Sequence, residues 1–210
     1  MFDKLKNVTN VIFDLGEVLL ELDYQRIIEK LSEVAKKNKS FIEEIVVTDP
    51  LLQDFEIGKI SPQQFRQGVN ELLGTHLDDD AFDKIWNSML KRLPKERMDL
   101  LREVGGRFQT FILSNTNAIH EVAFNQMIKE VTGRNSLHDF VQKCYFSHTI
   151  GLRKPNQSCY QFVIQDIGQD ASQMLFLDDR LDNIEGAKKA GLQAIQITDA
   201  DRQLNELFGK

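Results

Sequence analysis

Three short apolar runs in this chain each lead straight into side chains that can do chemistry. Val11-Ile12-Phe13 runs into Asp14, Phe111-Ile112-Leu113 into Ser114, and Leu175-Phe176-Leu177 into Asp178-Asp179. Runs this short, rich in branched and aromatic residues and followed by helix-like segments, read as strands of a parallel sheet buried on both faces. In open α/β sheets ligands bind outside the carboxyl ends of the strands, near the point where the strand order reverses. Three such ends place an Asp, a Ser and an Asp pair around one crevice.

The rest of the chain supports that frame. From Lys95 onward strand and helix patterns alternate. Met98 to Val104 reads as a helix broken by Gly105-Gly106, Phe108 to Leu113 as a strand, and Asn117 to Val131 as a helix. A short strand near Cys144-Tyr145-Phe146 follows, then a helix from Ser158 to Ile167 and a strand from Met174 to Leu177. A helix from Ile184 to Ala190, closed by Gly191, and a strand from Ala194 to Ile197 complete the pattern. Such alternation predicts a parallel sheet with helices on both faces. Between about Asp23 and Leu93 the character changes to helix, with no convincing strand. Tyr24 to Lys37 has helical spacing, Ser61-Pro62 is an N-cap and first-turn pair for a helix stopped by Gly74, and Asp78 can cap another. A helical insert after the first strand accounts for this stretch.

Composition bounds the function. Of 210 residues, 41% are apolar and 28% charged, with 26 basic against 32 acidic residues and a formal charge of −6. That is a globular composition without a basic stripe, which argues against a nucleic-acid partner. No stretch approaches the ~20 apolar residues that span a bilayer, and Met1 to Lys6 lacks the apolar core of a signal peptide. A cytoplasmic protein without a membrane partner is expected, its oligomeric state left open. Cys144 and Cys159 form no spaced pair and read as free, partly buried thiols.

The candidate chemistry follows from residue types. Asp14, at a strand end, is either a turn Asp accepting backbone N–H bonds or a nucleophile toward phosphorus, given a cation to offset repulsion. Ser114 reads as opening a helix with Asn115 and Thr116, either as a plain cap or as a phosphate-binding hydroxyl with its neighbouring N–H groups. Lys154, in Gly151-Leu152-Arg153-Lys154-Pro155, can offer an ammonium to a phosphate or belong to a solvated surface pair with Arg153. The adjacent carboxylates Asp178-Asp179 are costly unless a cation offsets them, and Mg²⁺ uses such ligands together with phosphate oxygens. Asn183 is placed to brace one of them. His76, His120, His138 and His148 show no ligand spacing and read as incidental.

In order and wording these motifs resemble the haloacid dehalogenase superfamily, in its phosphatase branch with a helical cap after the first strand. The matching stretches are Val11 to Val18, Phe111 to Thr116, Gly151 to Pro155 and Phe176 to Ala187. The resemblance implies a Rossmann-like three-layer α/β core over residues 1–22 and 93–210, with an all-helical cap over 23–92. It implies Asp14 as nucleophile, with Ser114 and Lys154 as catalytic phosphate-binding groups. Leu15, Gly16 and Asn115 join those two in contacting the substrate. Mg²⁺ is implied at Asp14, Gly16, Asp178 and Asp179, with Asn183 in support. The partner implied is a small phosphorylated metabolite, hydrolysed through an aspartyl-phosphate.

One departure matters. Phosphatases of the family carry a second Asp, the general acid and base, two residues after the nucleophile, and here that position is Gly16. The wording from Phe13 to Val18 is similar to a bacterial subgroup that includes a glucose-1-phosphate phosphatase. General acid–base help is worth roughly 10² to 10⁴ in rate, so its loss favours esters whose leaving oxygen needs little protonation: anomeric sugar phosphates, acyl or aryl phosphates. Glu17 is the substitute acid nearest in sequence. Left open beside the phosphatase are a non-catalytic phosphate-binding relative, a metal-independent 2-haloacid dehalogenase and a phosphomutase.

Overall fold

A computed structural model of the chain describes residue 5 and residues 7–209, so the N-terminal stretch read for a leader lies, Leu5 apart, outside the described residues. The sheet is parallel throughout. Its strands are β1 (Asn10–Phe13), β4 (Gln109–Ser114), β5 (Lys143–Phe146), β6 (Met174–Asp178) and β7 (Gln193–Gln196), in the order β5-β4-β1-β6-β7. After β1 the chain builds outward on one side through β4 and β5, then crosses to the other side for β6 and β7. The reversal leaves the ends of β4, β1 and β6 side by side, where a crevice forms.

Alternation along each strand divides the apolar residues between two cores. Val11, Phe13, Ile112, Leu175 and Leu177 face one side, packed by α6 (Lys95–Gly105), α7 (Ala118–Thr132) and α11 (Ala200–Phe208). Ile12, Phe111, Leu113, Tyr145 and Phe176 face the other, packed by α9 (Gln157–Ile167) and α10 (Leu181–Lys189). The core strands and helices lie within a few residues of the expected positions. The largest shifts are α6 and α10, each opening three residues earlier than its apolar pattern; the first turn of α10 carries the exposed Leu181 and Asp182 and the site residue Asn183.

Five helices occupy the stretch read as an insert: α1 (Tyr24–Ala35), α2 (Lys39–Thr48), α3 (Pro50–Glu56), α4 (Pro62–Leu73) and α5 (Asp79–Trp86). Their starts are fixed by local chemistry. Ser61 and Gln64 form a reciprocal capping box, Asp78 accepts from the Ala81 N–H, and Gly74 ends α4 at φ +68°. Asn38 and Asp49 cap α2 and α3 in the same way. A third core forms among these helices, with Phe55 stacked on Phe65 at 4.1 Å and Trp86 edge-on to Phe65 at 4.8 Å.

The expectation of an insert without strands needs correction. β2 (Glu21–Leu22) and β3 (Leu90–Arg92) pair antiparallel, Glu21 opposite Arg92 and Leu22 opposite Leu90, drawing the two ends of the helical stretch into one stem. Segments of two and three residues carry no readable period; long-range pairing makes them strands. Cys144 and Cys159 are free and more buried than expected, and burial pushes their thiols up to about 12 and about 11, so neither is a ready thiolate. Among the described residues no helix is long and apolar enough to cross a membrane.

The insert is seated on the core at Gly58. Its φ is +69°, and a Cβ there would stand 2.2 Å from the carbonyl oxygen of His148, in α8 (Ser147–Ile150). Gly74 has nearly the same φ of +68° with open space around it. Gly74→Ala is therefore expected to cost roughly 1–2 kcal/mol, the left-handed penalty alone. Gly58→Ala should cost at least about twice that, since backbone must also move. Equal midpoint losses for the two variants in denaturant unfolding would remove the seating role.

Candidate active site

The ends of β1 and β6 are in register, Phe13 opposite Leu177, so the residues that follow them meet. Asp14 is 7% exposed, Asp178 fully buried, and Lys154, 1% exposed, lies between them. Its Nζ stands 2.9 Å from Asp14 Oδ1 and 2.6 Å from Asp178 Oδ2, above the Phe176 ring. Lys154 is thus no member of a solvated pair. Its neighbour Arg153 points away to Glu56 of α3, 3.0 Å off.

Each member of this cluster is held by a further contact. Asn183 Nδ2 donates to both Asp178 oxygens at 2.9 and 3.0 Å, and the Arg180 N–H donates to Oδ1 at 2.9 Å. Asn183 therefore braces Asp178, as its position suggested, and its own carbonyl accepts from the Tyr160 hydroxyl at 2.8 Å. Asn115 clamps the backbone of Lys154. Its Oδ1 accepts from the Lys154 N–H and its Nδ2 donates to the Lys154 carbonyl, both at 2.9 Å. Asn115, read for substrate contact, borders the cavity, and its side-chain amide positions the lysine.

Two further expectations change. The Leu15 N–H donates to Asp14 Oδ1 at 2.7 Å, so it orients the carboxylate instead of standing ready for a phosphate oxygen. Ser114 ends β4 and does not open a helix: α7 starts at Ala118, with Asn117 as its cap accepting from the His120 N–H. Ser114 remains at the crevice, lining it with Asp14, Lys154 and Asp179. Glu17, at φ 56°, accepts from the Leu22 N–H at 2.7 Å through Oε1 and so ties the turn after Asp14. Over Gly16 lies Leu22, whose Cδ1 would be 2.8 Å from any Cβ placed there. An apolar side chain covers the position where a second Asp would stand.

Electrostatics follow from that packing. Burial raises the Asp14 pKa, the Lys154 ammonium pulls it back and Asp178 pushes it up again, leaving the carboxyl above its ordinary range. For Lys154 burial works against the charge, but Asp14 and Asp178 outweigh it, and the net direction is upward. Asp179 is likewise raised, by burial and then by Asp178. One oxygen from each of Asp14, Asp178 and Asp179 lies within 4.8 Å of the others. Three carboxylates thus face one ammonium.

Beside this polar cavity of about 620 Å³ opens a second of about 480 Å³. Both are bordered by Gly16, Leu22, Tyr24, Ser114 and Asn115. His120, read as incidental, is in the wall of the second. It is buried, stacked on Trp86 at 5.6 Å, with Nδ1 3.2 Å from Asn117 Nδ2 and Nε2 3.3 Å from the Trp86 carbonyl. The Asn117 amide donates to Nδ1, so Nε2 carries the proton and the ring is neutral. Nothing in the local sequence signals this, because Trp86 and His120 are brought together by the insert.

Burial lowers the His120 pKa from 6.5 to about 4, against smaller opposing effects of the Trp86 carbonyl and Asp83. An unfolded chain therefore binds a proton here that the folded one refuses. The contribution is complete above 6.5 and lost as pH falls toward 4. At about 1.4 kcal/mol for each pH unit in that window, it reaches roughly 3 kcal/mol. Unfolding free energy measured from pH 7 to pH 4 should fall more steeply in the parent than in His120→Gln; parallel curves would refute the assignment.

Comparison with known proteins agrees with the geometry. A family model described as haloacid dehalogenase-like hydrolase matches residues 8–191. The chain is 24% identical over 190 residues to a D-ribitol-5-phosphate phosphatase of Bacteroides thetaiotaomicron, covering 90% of this chain and 91% of that one. It is 26% identical to a sesquiterpene phosphatase of Aspergillus oryzae, over 90% and 89% of the two chains. A crystal structure of a HAD family enzyme from Bacteroides thetaiotaomicron, in complex with magnesium and inorganic phosphate, superposes with a TM-score of 0.85 at 30% identity. That match covers 96% of this chain and 99% of the other. With a family model spanning most of its length and a shared architecture, the chain belongs to the haloacid dehalogenase-like hydrolases.

Proposed function

We propose that this hydrolase is a Mg²⁺-dependent phosphomonoesterase acting on a small phosphorylated metabolite, with Asp14 as nucleophile. The observation that carries the reading is the buried Asp14–Lys154–Asp178 cluster with Asp179 beside it, at the carboxyl ends of two adjacent strands. Relatives named as phosphatases support it.

The residues present fit a divalent cation. Three carboxylates against one ammonium leave two negative charges unmatched in a site largely closed to water, and a hard divalent ion with oxygen ligands offsets them. Asp14, Asp179 and the Gly16 backbone would hold it, with Asp178 in support. Bound there, Mg²⁺ would neutralise the charge of the phosphoryl group and of the carboxylates facing it. The same acidic trio disfavours the metal-independent dehalogenase reading.

The protein's own groups carry the remaining roles. Both contacts to Asp14 fall on Oδ1, from the Leu15 N–H and from Lys154, which orients the carboxylate and leaves Oδ2 to attack. A new bond forms from Oδ2 to phosphorus as the ester oxygen departs with the electron pair of the broken P–O bond. Water then attacks the aspartyl-phosphate, releasing inorganic phosphate and restoring Asp14. Lys154 and Ser114 hold the phosphoryl oxygens, and Asn115 and Asn183 keep Lys154 and Asp178 in place; positioning of this kind supplies much of the acceleration. Residues 23–92 serve as a cap over the strand ends, tied to the core by Arg153 and Glu56.

With Gly16 beneath Leu22, no carboxylic acid is provided from the usual position to protonate the leaving oxygen. Esters that need little protonation should therefore be preferred, an anomeric sugar 1-phosphate among them. Equal rates for glucose 1-phosphate and glucose 6-phosphate across pH would count against this preference.

The primary test is phosphate release from a panel of esters, with Mg²⁺ and with chelator, for the parent and Asp14→Asn. Release should vanish with chelator and drop at least about 10³-fold in the variant. Release that survives Asp14→Asn would overturn the mechanism.

A further inference from the structure

The cavity of about 480 Å³ beside the phosphoryl site is walled mainly by apolar side chains: Ile27 and Ile28 of α1, Leu52 of α3, Trp86, Met89 and Phe124. Its volume falls within the ~300–1,000 Å³ of small-molecule sites. It meets the polar cavity along a border that includes Gly16, Leu22, Ser114 and, from α3, Leu52 and Glu56. A phosphoryl group on Asp14 and Ser114 would thus have its ester substituent directed into this chamber.

Most polar groups on the wall are already occupied or stand outside, apart from Trp86 Nε1, a buried donor without a partner, and the hydroxyls of Tyr24, Ser114 and Thr116. His120 and Asn117 are bonded to each other and His120 also to the Trp86 carbonyl, Glu56 is paired with Arg153, and Gln25 and Glu43 are exposed at the rim. A polyol placed here would lose several hydrogen bonds to water and find few replacements. An alkyl or aryl group would lose none.

We propose that the chamber binds the leaving group and selects phosphate esters of apolar alcohols or phenols over those of sugars and polyols. This rests on the phosphatase reading above and narrows its substrate class. The names of the relatives point both ways, one to a polyol phosphate and one to a sesquiterpene phosphate. The wall decides between them. It also suits the missing acid: an aryl leaving group departs without protonation, and Leu22 over Gly16 extends the apolar surface to the reacting centre.

Leaving-group acidity and apolar recognition can be separated with para-substituted phenyl phosphates, whose phenols differ little in acidity. From phenyl through 4-methyl, 4-ethyl and 4-propyl, kcat/KM should rise about three- to fourfold per methylene. The 4-propyl ester should exceed its near-isostere, the 4-(2-hydroxyethyl) ester, by about tenfold or more. Met89→Gln, at a half-buried wall position that does not border the polar cavity, should shrink that ratio.

A flat series, or a hydroxyethyl ester cleaved as well as the propyl ester, would overturn the chamber's role with the phosphatase intact. If no ester releases phosphate in the presence of Mg²⁺, the phosphatase reading itself fails. Calorimetry on the metal-free protein with 4-propylphenol and 4-(2-hydroxyethyl)phenol still decides the chamber in that case. Tighter binding of propylphenol supports it, and equal or absent binding overturns it.

Discussion

Everything at the active end of this molecule depends on one buried ammonium. Strands β1 and β6 are adjacent and in register, so their terminal carboxylates, Asp14 and Asp178, are forced together in a place nearly closed to solvent. Two such charges repel and are poorly solvated; without a cation one would take up a proton. Lys154 lies within hydrogen-bond distance of both and relieves the conflict in part, the Asp14 carboxyl staying above its ordinary range. The cost of burying its own charge is offset by two carboxylates instead of one, which is why it remains protonated. Asn115, Asn183 and the Arg180 N–H then remove the remaining freedom, so the cluster is preorganised before any ligand arrives.

That arrangement leaves a surplus of negative charge at Asp179 and at the free oxygen of Asp14. The surplus explains how a net acidic protein can attract a divalent cation and, through it, a phosphate ester. On the proposal above, substrate selection falls to a different part of the molecule. The polar cavity is committed to charge, whereas the neighbouring chamber is built from α1, α3, the segment after α5 and the first turns of α7. Insert and core share this wall: Ile119 of α7 belongs to the apolar cluster of the insert, and His120 stacks on Trp86. The stem of β2 and β3 and the close seat of Gly58 on His148 hold the two parts in that relation.

Much of this was legible along the chain, for reasons that differ by residue. The core strands showed themselves because a parallel strand covered on both faces must be apolar without interruption. The caps at Ser61 and Asp78 and the stop at Gly74 were readable because a helix terminus is satisfied by residues within a turn of it. The less legible features all depended on partners distant in sequence. β2 and β3 are strands only because residues seventy positions apart pair. His120 gains its place from Trp86, Asn115 turns to Lys154 thirty-nine positions on, and Leu22 folds back over Gly16.

The division follows the range of the forces involved. Backbone hydrogen bonding, capping and hydrophobic periodicity act within a few residues, and they determine the α/β core, the helical character of the insert and the presence of Asp14, Ser114 and Asp178-Asp179 at or just beyond strand ends, with Lys154 in the loop before α9. Charge pairing, desolvation and cavity shape depend on groups that meet only when the chain closes. Tertiary packing therefore decided that Lys154 serves two carboxylates, that the Leu15 N–H and the Asn115 side chain position other groups, and that an apolar chamber borders the site.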